Sequence, residues 1–154
     1  MDDKPIVVEV VQLEHFRFRV DFPGIDAPPV LTDEMPPLGD GGAPNPVRLL
    51  AAGVANCLAA SLLYALQRYR NDPYPVTARV DVDLNRDTAG RLRVAGMAVR
   101  LRVGARWPAL HHATRALAQF EAFCTVTESV RRGIPVTVDV RDACDDPLNA
   151  EAAS

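Results

Sequence analysis

From Leu49 to Leu66 the chain reads LLAAGVANCLAASLLYAL without a single charged side chain. At about eighteen residues this run is near the lower limit for a membrane-spanning helix. It is, however, rich in Ala, carries Gly53, Asn56 and Ser61, and is the only such segment in the sequence. A helix that is apolar all round can equally be the buried centre of a protein, and that is the expectation here, with no membrane partner. Asn45-Pro46 supplies its start: Asn accepts hydrogen bonds from free backbone N–H groups, and Pro suits the first helical position. The pattern predicts a helix continuing to about Arg70, roughly 37 Å long. One chain of 154 residues hardly covers so long an apolar rod. Packing two copies together as a homodimer would bury the remainder.

The flanking sequence alternates. From Pro5 to Phe22 the pattern is β, and in His15–Phe22 it places Phe16, Phe18, Val20 and Phe22 on one face. Arg17, Arg19 and Asp21 stand on the other face with His15, and Pro23-Gly24 ends the run. Val30 and Leu31 suggest a short third strand before the Pro- and Gly-rich stretch EMPPLGDGGAP. Beyond the helix, Val76, Ala78, Val80, Val82 and Leu84 alternate with polar residues, and Asp87-Thr88-Ala89-Gly90 turns the chain. The next strand changes phase between Val94 and Met97, which predicts a β-bulge at Gly96. A second helix is expected from Pro108, with Leu110, Ala113, Leu117, Phe120 and Cys124 forming an inward stripe. Thr125 or Thr127 would cap a short helix closing at Gly133, before a last strand at Ile134–Val140. The order is ββ(β)-α-ββ-α-α-β, an α+β fold in one domain spanning 1–154, with about 141–154 a polar tail.

Composition narrows the function. A net charge of −3 with no Lys/Arg block, and 6% aromatic residues, argue against a nucleic-acid surface. Three scattered cysteines, Cys57, Cys124 and Cys144, are no secreted disulfide framework. With an acidic N-terminus that lacks a leader pattern, they point to a reducing cytoplasm. His111-His112 are adjacent on a helix and do not face each other, so no metal is expected there. Asp81-x-Asp83-x-Asn85-x-Asp87 has Arg86 where a calcium loop needs Gly, and is better explained as a strand entering a turn. Glu128 and Arg131 are spaced for a surface ion pair. By default Cys57 is a small hydrophobe on an Ala-rich helix, and Cys144, among aspartates, is incidental.

Two passages change that default. Gly41-Gly42-Ala43-Pro44-Asn45-Pro46 leads into the apolar helix. Phe120-Glu121-Ala122-Phe123-Cys124-Thr125-Val126 is followed by Gly133 and IPVTVDV. Together, at this separation and in this element order, they resemble the OsmC and organic-hydroperoxide-resistance superfamily over nearly the whole chain. The resemblance implies an intertwined homodimer with two long central helices covered by sheets and active sites at the subunit interface. It implies a stress or detoxification role in which Cys57 reduces organic hydroperoxides and Cys124 resolves the product. An external dithiol would be the reductant, and no cofactor is involved. The activating arginine of the family comes from the N-terminal half, and here Arg17 and Arg19 are the candidates.

The chemistry is coherent in its own terms. A thiolate that attacks an O–O bond becomes a sulfenic acid, and a second thiol condenses with it to a disulfide. The nucleophile must be ionised, whereas a free thiol has a pKa of about 8.5. Cys57 lies about three turns into its helix, where the helix dipole helps little, so a cation must come from elsewhere. One position departs from the family: peroxidase branches carry Glu directly after the Asn-Pro pair to orient the arginine, and here Val47 stands there. Either Asp33, Glu34 or Glu128 takes that role, or the protein is a non-catalytic member that binds a small apolar ligand in the dimer cleft. A thiol enzyme acting on another electrophile is a third possibility.

Overall fold

The computed structural model describes residues 4–148. The chain divides into two compact units, Met1–Leu49 and Leu50–Ser154. The first holds β1 (Glu9–Glu14), β2 (Arg17–Asp21) and β3 (Val30–Thr32) in one antiparallel sheet in that order. The alternation in His15–Phe22 is a strand only from Arg17 onward. His15 and Phe16 form the hairpin turn, with His15 at a φ of 48°. Of the four residues expected to face inward, only Val20 is buried; Phe18 and Phe22 are half-buried and Phe16 is exposed. The sheet of this unit therefore has almost no core of its own. All six residues of β1 are exposed, including Val10, Val11 and Leu13.

The long helix, α1 (Pro46–Gln67), begins in the last residues of the first unit and runs into the second. Asn45 caps it as expected, its Oδ1 accepting the Arg48 N–H at 3.1 Å. It stops at Gln67 rather than Arg70, because Arg70 takes a left-handed φ of 60°. Asn71 then secures the exit. Its side-chain amide donates to the carbonyls of Leu66 (3.0 Å) and His111 (2.9 Å), and its Oδ1 accepts the His111 N–H at 2.7 Å. Among the described residues α1 is the one helix long and apolar enough to cross a membrane, and less than half of its apolar window is buried. One side, Val54, Leu58, Leu62 and Leu66, is fully buried, while Asn56, Ala60 and Tyr64 are exposed.

That buried stripe packs on a second sheet, ordered β4 (Thr77–Arg86), β5 (Leu92–Arg102) and β6 (Val136–Arg141). Met97, Val99 and Leu101 of β5 supply the inward face. The bulge falls as the phase change predicts: Asp83 pairs with Gly96 and Leu84 with Val94, leaving Ala95 unmatched. The Asp81–Asp87 stretch is strand and turn, the Asp87 carboxylate accepting the N–H groups of Ala89 (3.0 Å) and Arg91 (2.9 Å). β4 and β5 form a hairpin, but β6 joins β5 in parallel. Periodicity gave no sign of this crossover.

The second helix differs from its expected form. It breaks into a 3₁₀ turn at Trp107–Ala109, α2 (Ala113–Gln119) and another 3₁₀ turn at Phe120–Phe123. His112 is left-handed, with a φ of 54°, and interrupts the hydrogen-bond ladder before α2. The stripe nevertheless buries Leu110, Ala113, Phe120 and Cys124, as spacing predicts, and leaves Leu117 half-buried. α3 (Thr125–Val130) is capped not at Thr125 or Thr127 but at Cys124, whose backbone is extended. Glu128 and Arg131 pair, and Arg131 reaches Glu121 as well, at 2.7 Å.

The stretch read as a polar tail is structured up to Leu148, while 149–154 lie outside the described residues. Asp142, 2% exposed, accepts backbone N–H groups from Trp107 (3.1 Å), Cys144 (2.8 Å) and Asp146 (3.1 Å). The Trp107 indole N–H in turn donates to the Asp146 carbonyl at 2.9 Å. The segment after β6 thus grips the buried tryptophan.

Candidate functional site

Two groups of residues carry the candidate chemistry, one in each unit. In the second unit Cys57 projects from α1, half-buried against the hydrophobic core, and Cys124 is fully buried where the second 3₁₀ turn gives way to α3. The break in the second helix matters here. An uninterrupted helix would carry the chain past Cys124 with its amides satisfied internally. The extended residue instead turns the thiol into the core.

Both thiols are free, and Cys57 stands close enough to Cys124 to act on its titration. Cys124 Sγ–H donates to Thr127 Oγ1 at 3.0 Å, and Thr127 is itself fully buried. Burial pushes the Cys124 thiol above its ordinary value, and the Cys57 thiol pushes the same way. The Thr127 hydroxyl and amide favour the thiolate but do not overcome burial. Burial thus disfavours the Cys124 thiolate. That suits a second-step thiol better than a first nucleophile, which must be ionised. The role of Thr127 was not read from the sequence. Its signal was available in the i, i+3 spacing from a helix-capping residue.

In the first unit Arg17 is half-buried at the start of β2. Its guanidinium is 3.6 Å from the exposed Glu14 carboxylate and lies against the backbone of Gly42. Arg19 is exposed and tied to Asp21 on its own strand at 2.9 Å. Asp33, one of the acids considered in place of Val47, is 3% exposed and lines a cavity of about 200 Å³ together with Arg17, Glu14, His15 and Asp40. Glu128 is committed to Arg131. Val47 is half-buried in the first turn of α1. Cys144 is exposed in the loop after β6. The histidine pair is absorbed by structure, His111 through its backbone bonds to Asn71 and His112 through its ring against Tyr69, 5.1 Å between centroids. Among the described residues no cluster of His, Cys, Asp and Glu could hold a metal ion.

The OsmC-like protein family model matches residues 39–139, well over half of the chain and both cysteine passages. The chain belongs to the OsmC-like family. No curated protein matches the sequence. Solved structures agree on the fold. A Psychrobacter arcticus protein named for an osmotic-stress-induced detoxification response superposes with a TM-score of 0.75 at 18% identity, covering 92% of this chain and 100% of that one. The organic hydroperoxide resistance protein OsmC of Legionella pneumophila gives 0.69 at 18% identity, with 91% and 98% covered. An organic hydroperoxide resistance protein from Elizabethkingia anophelis gives 0.69 at 15% identity, with 91% and 99% covered.

Proposed function

We propose that this OsmC-like protein reduces organic hydroperoxides with a pair of thiols. Cys57 is the attacking thiolate, Cys124 the resolving thiol, and an external dithiol the reductant. The observation that carries the reading is the adjacency of a half-buried thiol on α1 and a fully buried one held by Thr127. In the first step the Cys57 thiolate attacks the terminal peroxide oxygen. An S–O bond forms, the O–O bond breaks, and the departing alkoxide takes a proton to leave as the alcohol. Cys124 then attacks the sulfenic sulfur, a disulfide forms and water leaves. Two electrons from the external dithiol restore both thiols.

The cation that favours the Cys57 thiolate is assigned to Arg17. Arg19 is the weaker candidate because Asp21 already engages it. The names of the Legionella and Elizabethkingia proteins favour an organic hydroperoxide as the electrophile. One equivalent of cumene hydroperoxide, added to the reduced protein, should remove two of the three titratable thiols. Peptide mapping should then find Cys57 joined to Cys124. Three thiols still titratable after that treatment would refute the reaction.

The working form is proposed to be a homodimer. The β1–β3 sheet buries little beyond Val20, and β1 leaves Val10, Val11 and Leu13 open to water. α1 leaves Asn56, Ala60 and Tyr64 uncovered. Burying one Val or Leu side chain contributes roughly 1.5–3 kcal/mol, so these faces favour a second copy. Light scattering should give twice the 16.7 kDa of one chain, and a monomeric mass at micromolar concentration would reject the dimer.

A further inference from the structure

The Gly-rich loop after β3 is built around one carboxylate, and that carboxylate has no role in the chemistry described so far. Asp33 is 97% removed from solvent, its own exposure being 3%. A carboxylate so buried needs hydrogen-bond donors and a counter-charge. Its Oδ2 accepts the Gly42 N–H at 3.1 Å, and its backbone N–H donates to the Pro44 carbonyl at 3.3 Å. The loop closes further through the Gly41 N–H on the Glu34 carbonyl at 3.0 Å.

Two glycines make this closure possible. A Cβ at Gly39 would stand 2.4 Å from Asp33 Oδ1 and 2.3 Å from the Glu34 carbonyl oxygen, so only glycine admits the carboxylate. A Cβ at Gly42 would stand 2.7 Å from Arg17 Nη2 and 3.6 Å from Asp33 Oδ2. Arg17 and Asp33 therefore flank the same point of backbone, and both line the cavity with Glu14 and His15. The exposed Glu14, 3.6 Å from the guanidinium, is too loosely placed to fix it alone.

We infer that Asp33 is the positioning residue for Arg17: by holding the Gly42 amide, it fixes the bare backbone surface against which the guanidinium rests. Val47 leaves α1 without an acid to orient the arginine, and the Gly42 backbone held by Asp33 orients it instead. The inference rests on the assignment of Arg17 as the activating cation. Asp33 acts through the backbone, so an acceptor at position 33 is what matters.

The test is a double-mutant cycle read by the pH profile of Cys57 alkylation, followed by mass spectrometry in the full-length protein. Arg17→Ala should move the midpoint up by about one pH unit. Asp33→Ala should move it in the same direction, and should add nothing in the Arg17→Ala background. Asp33→Asn keeps the acceptor for Gly42 and should restore a profile close to wild type, whereas Gly42→Ala should behave like Asp33→Ala. Additive effects of Asp33→Ala and Arg17→Ala, or an Asp33→Asn profile no better than that of Asp33→Ala, would overturn the inference. If Arg17→Ala leaves the Cys57 profile unchanged, the activation reading fails on its own. Asp33 is then judged by phenylglyoxal modification of Arg17. An increase of about threefold or more in Asp33→Ala supports positioning, and an unchanged rate rejects it.

Discussion

A Cys57→Ser variant is expected to lose turnover of an organic hydroperoxide with a dithiol by at least about 10³-fold, because the group that forms the S–O bond is gone. Cys124→Ser should behave differently. The first step needs only Cys57, so this variant should consume one equivalent of hydroperoxide. It should then stall as a sulfenic acid that dimedone traps, with steady-state turnover falling according to how well the external thiol attacks directly. Thr127→Val offers a finer check within the same assay. It removes the acceptor of the Cys124 Sγ–H bond while keeping the volume, and should slow the resolving step without touching the first. Equal losses in Cys57→Ser and Cys124→Ser at the first turnover would contradict the division of labour between the two thiols.

The second large effect is on stability. Asp142→Ala leaves three backbone N–H groups without their acceptor, that of Trp107 in a buried setting and those of Cys144 and Asp146 in a half-buried one. The expected loss is about 3 kcal/mol, read as a fall in the urea midpoint. Burial alone would raise the Asp142 pKa. The three amide donors and the nearby Arg106 charge outweigh it and hold the carboxyl below its usual range. A carboxyl depressed in the folded state stabilises fully above its unfolded pKa of about 3.9 and loses that contribution as pH falls through the lower folded value. The gap between wild type and Asp142→Ala should therefore be constant from about pH 5 to pH 7 and narrow below about pH 4. A gap that widens on acidification would show that Asp142 is held neutral in the native protein.

Much of the second unit is legible in its sequence because its signals are periodic and local. The apolar run to Leu66, the phase change at Gly96 and the stripe ending at Cys124 each translate directly into structure. What the pattern hides is non-local. No periodicity announces that β6 returns parallel to β5, or that His112 enters a left-handed conformation and splits a helix. Asp142 and Asp33 sit in stretches that look polar and loop-like. Their burial follows from backbone amides converging on them from up to 35 residues away in sequence. The first unit misleads for another reason. Its alternation is genuine, but a sheet that lacks its own core leaves Phe16 and β1 exposed, so inward and outward lose their usual meaning. Of the candidate site, the two cysteines and the pair Arg17 and Arg19 stood out as residue types. Thr127 and Gly42 matter only through the contacts that the fold creates.

The parallel return of β6 has a consequence for the oxidised protein. Cys124 lies on the crossover between β5 and β6, and Cys57 on the helix beneath that sheet, so the two sulfurs meet only once a long stretch of chain has closed. A bond between them would encircle about 67 residues and remove about 4 kcal/mol of chain entropy from the unfolded state. In the proposed reaction, each cycle would then pass through a cross-linked form tougher than the resting one. Oxidative stress would harden the molecule at the moment its thiols are spent.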